Sequence, residues 1–199
     1  MNSVRKSIQA ITLLVALLFS GSVVFAQSVW KADPAHSKVN FSTVHNTISD
    51  VAGLFTSFEA NVTSSKADFS DAMFDLKINT ESIDTEIKMR DDHLRSADFF
   101  DVEKYPTITF KSEGIEKANA ANKYKINGTL TMHGISKPVT MDIWYRGTIS
   151  DKQSGNTISG FQVTGFINRS DFNIGTKFPN AMISDKVMIK ADGEFIKQK

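Results

Sequence analysis

The stretch "YKINGTLTMHGISKPVTMDIWYRG", Tyr124 to Gly147, decides the fold. Tyr124, Ile126, Leu130 and Met132 alternate with Lys125, Asn127, Thr129, Thr131 and His133. Beyond "HGISKP" the alternation resumes with Val139, Met141, Ile143 and Tyr145. A period of two puts apolar side chains on one face of a sheet and polar ones on the other. Asn127-Gly128 would suit a tight hairpin turn. That reading fails, because it leaves only "KYKI" as the preceding strand while the alternation runs through Gly128. A glycine inside a strand points instead to a bulge or a close backbone approach. "HGISKP" then connects two strands, with Pro138 opening the second, where a missing N–H is tolerated.

Working outward, the same pattern recurs along most of the chain. "HSKVNFSTVH" sets Val39 and Phe41 against Lys38, Asn40 and Ser42. "GLFTSFEANV" reads as one strand with Leu54, Phe58, Ala60 and Val62 on its apolar face. "MFDLKINT" aligns Phe74, Leu76 and Ile78, and "PTITFKS" aligns Ile108 and Phe110. "ISGFQVTGFINR" and "KVMIKADGEFIK" complete the series, with polar loops such as "EKANAANK" and "SDKQSGN" between. About eight antiparallel strands in one domain must hide their edges, and closing into an up-and-down barrel does so most simply. A β-sandwich is the alternative.

One segment breaks the pattern. From about Asp84 to Ala97, Ile87, Arg90, Leu94 and Ala97 follow helical spacing. Asp84 or Thr85 can cap this helix, and Glu86 suits its first turn. Asp91 and Asp92 lie four and three residues before Arg95, the spacing of surface ion pairs. Phe99 and Phe100 follow the helix and can dock it.

The first 26 residues read as a secretory signal. Arg5 and Lys6 precede the apolar run "AITLLVALLF", and Val24 and Ala26 stand at the cleavage positions, so cleavage is expected after Ala26. An uncleaved anchor is the competing reading, disfavoured by the short apolar run. Residues 27–199 then form a single exported domain. The chain has no cysteine, which excludes disulfides, thiol chemistry and a lipidated amino terminus. The net charge is +1, or about −1 without Arg5 and Lys6, which argues against a nucleic-acid partner.

Motifs for chemistry are absent. There is no G-x-S-x-G elbow, phosphate-cradling glycine loop or H-E-x-x-H helix. His36, His45, His93 and His133 occupy separate segments, none at the i, i+4 spacing of a helical metal site. Each is expected to satisfy a local bond, so neither a catalytic residue nor a metal ligand is assigned. Arg169 and Asp171, two apart on an expected strand, share a face and suit a structural salt bridge.

"WKADPAHSKVNFSTVH", "GLFTSFEA", "SIDTEIKMRDDHLRSADFFDVEKYPTITF", "GTLTMHGISKPV" and "INRSDFNI…ISDKVMIKADGEF" together resemble the YceI-like family of polyisoprenoid-binding proteins. The resemblance runs from about Trp30 to Ile196. Asn173 departs from it, standing where a glycine is usual. Asn tolerates a left-handed backbone best after Gly, so the turn is expected to persist. The resemblance implies an eight-stranded, lipocalin-like barrel with one short helical insertion near residues 84–97. It also implies a periplasmic or secreted binding protein rather than an enzyme, with no cofactor. Its partner would be a long isoprenoid lipid, such as a polyprenyl phosphate or a quinone, held in the lumen.

The apolar faces then nominate Phe41, Phe58, Phe74, Leu76, Ile78, Phe110, Leu130, Met132 and Ile143 to line the lipid tail. Phe99 and Phe100 are the candidate portal. Arg90, His93, Arg95 and Arg169 are the candidates for a polar or anionic head group, since guanidinium geometry matches phosphate. Two other readings stay open: an enzyme acting on an isoprenoid or other amphiphile, and a barrel filled by its own side chains with a structural or stress-related role. A homodimer is compatible with the sequence.

Overall fold

The structure, a computed structural model, describes residues 27–199; the expected signal segment and its cleavage point lie outside the described residues. The strands are β1 (Ser28–Ala32), β2 (Lys38–His45), β3 (Ser49–Phe55), β4 (Phe58–Ser64), β5 (Met73–Asn79), β6 (Ile83–Asp84), β7 (Thr107–Lys117), β8 (Lys123–Met132), β9 (Ile135–Ser150), β10 (Thr157–Asn168) and β11 (Ile183–Lys197). One α-helix, α1 (Lys88–Arg95), lies among the described residues. Every ladder is antiparallel, and β11 pairs with both β1 and β2, so the sheet closes on itself.

Eleven strands make an eight-stranded barrel because some are halves of one stave. β1 and β2 both run against β11, and β3 and β4 run against β2 and β1 in turn, so each pair is a single bent strand. β6 likewise continues β5 along β3. The first bend is the 3-10 turn Pro34–His36, where Asp33 Oδ1 accepts from Ala35 N at 3.0 Å. The second bend is Thr56–Ser57, held by Thr56 N to Ser82 O at 3.0 Å and Ser57 N to Ser82 Oγ at 3.0 Å.

This second bend corrects the reading of "GLFTSFEANV" as one alternating strand. Two residues separate Phe55 from Phe58, so the apolar phase shifts there. Phe55, not Leu54, is buried on the inner face. A period of two cannot survive such a bend, and burial of Phe55 decides which register each half takes.

The β8–β9 connection is shorter than "HGISKP". Only His133 and Gly134 form the turn, with φ of 52° and 74°. Positive φ at both positions matches the twist of the flanking strands, the basis of the two-residue hairpin preference. Tyr105 packs so closely on Gly134 that a Cβ there would sit 2.6 Å from its ring. Pro138 falls inside β9, opposite Thr129, in a stretch that β10 has not yet joined, so its missing N–H breaks no ladder. β8 runs straight through Asn127-Gly128, opposite a register shift in β7 between Ser112 and Gly114. A Cβ at Gly128 would lie 2.7 Å from the Phe110 ring, which is the close approach a strand glycine signals.

α1 is shorter than expected, and its cap differs. Ile87 occupies the cap position without a side-chain bond. Asp84 instead accepts from Glu86 N at 2.8 Å. The helix reaches back to the preceding turn: buried Asp91 accepts from Thr85 N at 2.9 Å and Thr85 Oγ1 at 2.5 Å. Asp91 therefore does not pair with Arg95, whereas Asp92 does at 3.3 Å. Two buried clusters form the core. One includes Ile83, Phe99, Phe172 and Ile174 near α1 and continues into the barrel through Val39, Ile78, Ile126 and Met141. The other holds Trp30, Val62, Phe69, Ala72 and Tyr124 beneath the β4–β5 loop.

Candidate ligand-binding lumen

The clusters do not fill the barrel completely. A cavity with about 1130 Å³ of atom-free space, counting the part open to solvent, runs along its inner face; the centre of a water molecule can reach about 160 Å³ of it. Its lining is almost wholly apolar. Phe41, Phe58, Phe74, Leu76, Ile78, Phe110, Leu130 and Met132 all border it. So do Phe55, Ile126, Met141, Phe161, Val163, Ile189 and Ala191, which the candidate set omitted. The alternation in "GFQVTG" and "VMIKADG" carries the signal for the last four. Strand parity alone places them on the inner face.

Ile143 is placed elsewhere. It is inward and 2% exposed, but it packs with Tyr124, Phe161 and Phe69 in the second cluster and does not border the cavity. Strand alternation gives the face of a residue and not its height in the barrel. Phe69 closes this end, 4.9 Å from the rings of both Tyr145 and Phe161 and 5.3 Å from Trp30. Its loop is fixed by Asp71, whose carboxylate accepts from the Ser64 hydroxyl, from the N–H and hydroxyl of Ser65, and from Lys66 N. Burial opposes ionisation of Asp71, but the Ser64 and Ser65 hydroxyls and the backbone N–H groups outweigh it and hold the carboxyl at about 2.

The other end is closed as well. Phe99 is buried, stacks on Phe178 at 5.0 Å and meets His93 edge-on at 5.0 Å. Phe100 meets Phe55 edge-on at 5.9 Å. Both sit in this plug, and neither borders the cavity.

None of the four head-group candidates borders it either. Arg90 donates to Thr85 Oγ1 at 2.7 Å and Thr85 O at 2.6 Å. Arg95 donates to Glu81 O at 2.8 Å and Ile83 O at 2.7 Å, fastening α1 to the β5–β6 stave. His93 is half exposed and lies 3.4 Å from Asp98. Arg169 is 5% exposed and donates to the carbonyls of Ile174, Gly175, Phe178, Ile183 and Ser184 and to Asn180 Oδ1. The expected Arg169–Asp171 salt bridge does not form. Both residues lie in a 3-10 turn rather than on a strand, and Asp171 accepts from Asn168. That turn ends at Asn173, left-handed at φ 55°, as its residue type allows.

The barrel wall also has a lateral gap in its pairing. The ladder between the first two staves stops at Lys31–Asn61 and restarts at Val39–Phe55. Ala32, Ser37 and Lys38 border the cavity on one side of this gap, and Phe58, Ala60 and Asn61 on the other. The gap follows from the two bends, which carry the strands apart where neither can pair. Ser37, Lys38, Asn40, Asn61, Asp75 and Asp192 supply the polar part of the lining. No helix among the described residues is long and apolar enough to cross a membrane.

The YceI-like domain family matches residues 30–195. Protein YceI of Salmonella newport is 34% identical over 189 residues, covering 95% of this chain and 97% of that one. Among solved structures, BcnA of Burkholderia cenocepacia superposes with a TM-score of 0.74 at 29% identity, over 82% of this chain and 98% of the other. The Campylobacter jejuni YceI protein gives 0.71 at 33% identity, over 76% and 88%. A polyisoprenoid-binding domain from Saccharophagus degradans gives 0.60 over 85% and 98%; at 17% identity that likeness speaks to the fold alone.

Proposed function

Because the chain belongs to the YceI-like family, we propose that it binds a long isoprenoid lipid, with the tail in the lumen and the polar end at the lateral gap. One observation carries this reading. Phe41, Phe58, Phe74, Leu76 and Phe110 point inward yet keep exposed surface, and all five border one void. A barrel filled by its own side chains would bury them, because large apolar groups gain about 25 cal/mol for each Å² removed from water. An apolar tail supplies the missing contact at about 0.8 kcal/mol per CH₂.

A polyprenyl phosphate or a quinone suits this shape, and carriage across an aqueous compartment suits the signal-like start of the sequence. The protein acts there as a periplasmic or secreted carrier. Binding fits the lumen better than catalysis. Its titratable lining residues, Lys38, Asp75 and Asp192, are polar-rim groups rather than groups set deep against a tail. The test is native mass spectrometry of the exported protein before and after addition of an octaprenyl quinone or polyprenyl phosphate. A one-to-one lipid adduct supports the reading. A protein that stays lipid-free at every concentration refutes it and leaves the empty barrel.

A further inference from the structure

We propose that Asp33, His36 and Glu194 form a binding site for a borderline divalent cation, with Zn²⁺ the best match. Each offers one donor atom, and the three lie within 4.8 Å of one another. His36 Nδ1 is 2.7 Å from Asp33 Oδ2 and 3.9 Å from Glu194 Oε2. Zinc bonds of about 2.0–2.1 Å put neighbouring donors about 2.9 Å apart in an octahedron and about 3.3 Å apart in a tetrahedron. The two separations from His36 bracket those values, and the Asp33 and Glu194 carboxylates lie within 4.8 Å of each other. Imidazole with carboxylates is a donor set that zinc accepts readily.

The backbone is already set for this. Asp33 N donates to Glu194 O at 2.8 Å, which ties the first bend to β11. Asp33 Oδ1 is fixed by Ala35 N, which leaves Oδ2 for His36. The two groups that must move are free to do so, His36 being 63% and Glu194 48% exposed in their side chains. A plain histidine–aspartate pair would explain Asp33 and His36. Glu194 converges on the same ring, its only ionic partner among the described residues. Two carboxylates around one imidazole leave an excess of negative charge that a divalent cation neutralises.

The position gives the site its interest. Asp33 follows the lining residue Ala32, His36 precedes Ser37, and Glu194 lies between Gly193 and Phe195. The triad therefore joins the first bend, which forms one side of the lateral gap, to β11 on its other side, and a bound cation would fasten the two. Three protein donors leave a fourth position for water or an oxygen ligand.

Isothermal titration of metal-free protein with ZnCl₂ tests this without any lipid, so its outcome is independent of the lumen reading. The expected result is one site per chain. His36→Ala should weaken it at least tenfold, and the isosteric Glu194→Gln at least threefold. Zn²⁺ should also raise the melting temperature of the wild type but not of His36→Ala. No saturable binding overturns the proposal, and so does binding that both variants retain in full while their metal-free melting temperatures match the wild type.

Discussion

Ala191→Phe directs a ring into the lumen. Ala191 borders the cavity on β11, paired with Val39 on one side and Val163 on the other, and it is only partly buried. In a filled core, added methylenes force side chains off their rotamers at about 1–3 kcal/mol. Here the ring enters free space, so stability should hold or rise slightly. The ring displaces about six tail carbons, and at about 0.8 kcal/mol per CH₂ that forfeits about 5 kcal/mol of gross tail burial. A flexible tail that shifts along the lumen recovers about half. The net loss of about 2–3 kcal/mol corresponds to a Kd raised about 30- to 150-fold. Titration with an octaprenyl quinone, followed by quenching of intrinsic tryptophan fluorescence and by native mass spectrometry, measures the change. An unchanged Kd in a variant that melts with the wild type would refute a tail in this lumen.

Three further outcomes follow from the ends of the barrel. Arg169→Lys keeps the charge but cannot reach all the carbonyls that the guanidinium serves. Two or more buried carbonyls left unpaired should cost about 3 kcal/mol in chemical denaturation, and a loss under about 1 kcal/mol would show that water replaces the donors. Asn173→Ala should cost about 1 kcal/mol because φ is 55°, whereas Asn173→Gly should be neutral or stabilising; equal effects would contradict the left-handed turn. The Asp71 carboxyl is held below its ordinary 3.8, so its contribution is complete above that value and disappears as the pH falls toward about 2. Discounted for partial exposure, the shift is worth about 1 kcal/mol. Melting temperatures of wild type and Asp71→Asn should therefore converge as the pH falls from 4 to about 2, and curves that stay parallel would rule out this source of acid sensitivity.

The staves were legible because one physical constraint, an apolar inner face against a wet outer one, writes a period of two into nearly every strand. That constraint located eight cavity-lining side chains by face alone. It is silent wherever the backbone bends. The phase slip at Thr56–Ser57 leaves no mark in composition, and only the burial of Phe55 reveals it. Height along the barrel is equally unwritten, which is why Ile143 falls in the closed end and not in the cavity. The charged segment around α1 was misleading for a different reason. Arginine looks the same whether it awaits a phosphate or caps carbonyls, and Arg95 and Arg169 cap carbonyls.

The two bends also link fold to function. Straight first and second staves would pair along their whole length, and the barrel would be sealed between an aromatic plug at each end. A ligand could then enter only by displacing Phe69 or the Phe99–Phe178 stack, each packed against several rings. On the proposed reading, the break in pairing between Lys31–Asn61 and Val39–Phe55 is the way in instead. It exposes apolar lining beside the polar groups Asn40 and Asn61, the juxtaposition an amphiphile needs. The same bend brings Asp33 and His36 to Glu194, so the segment that parts the ladder also supplies two of the three proposed cation donors.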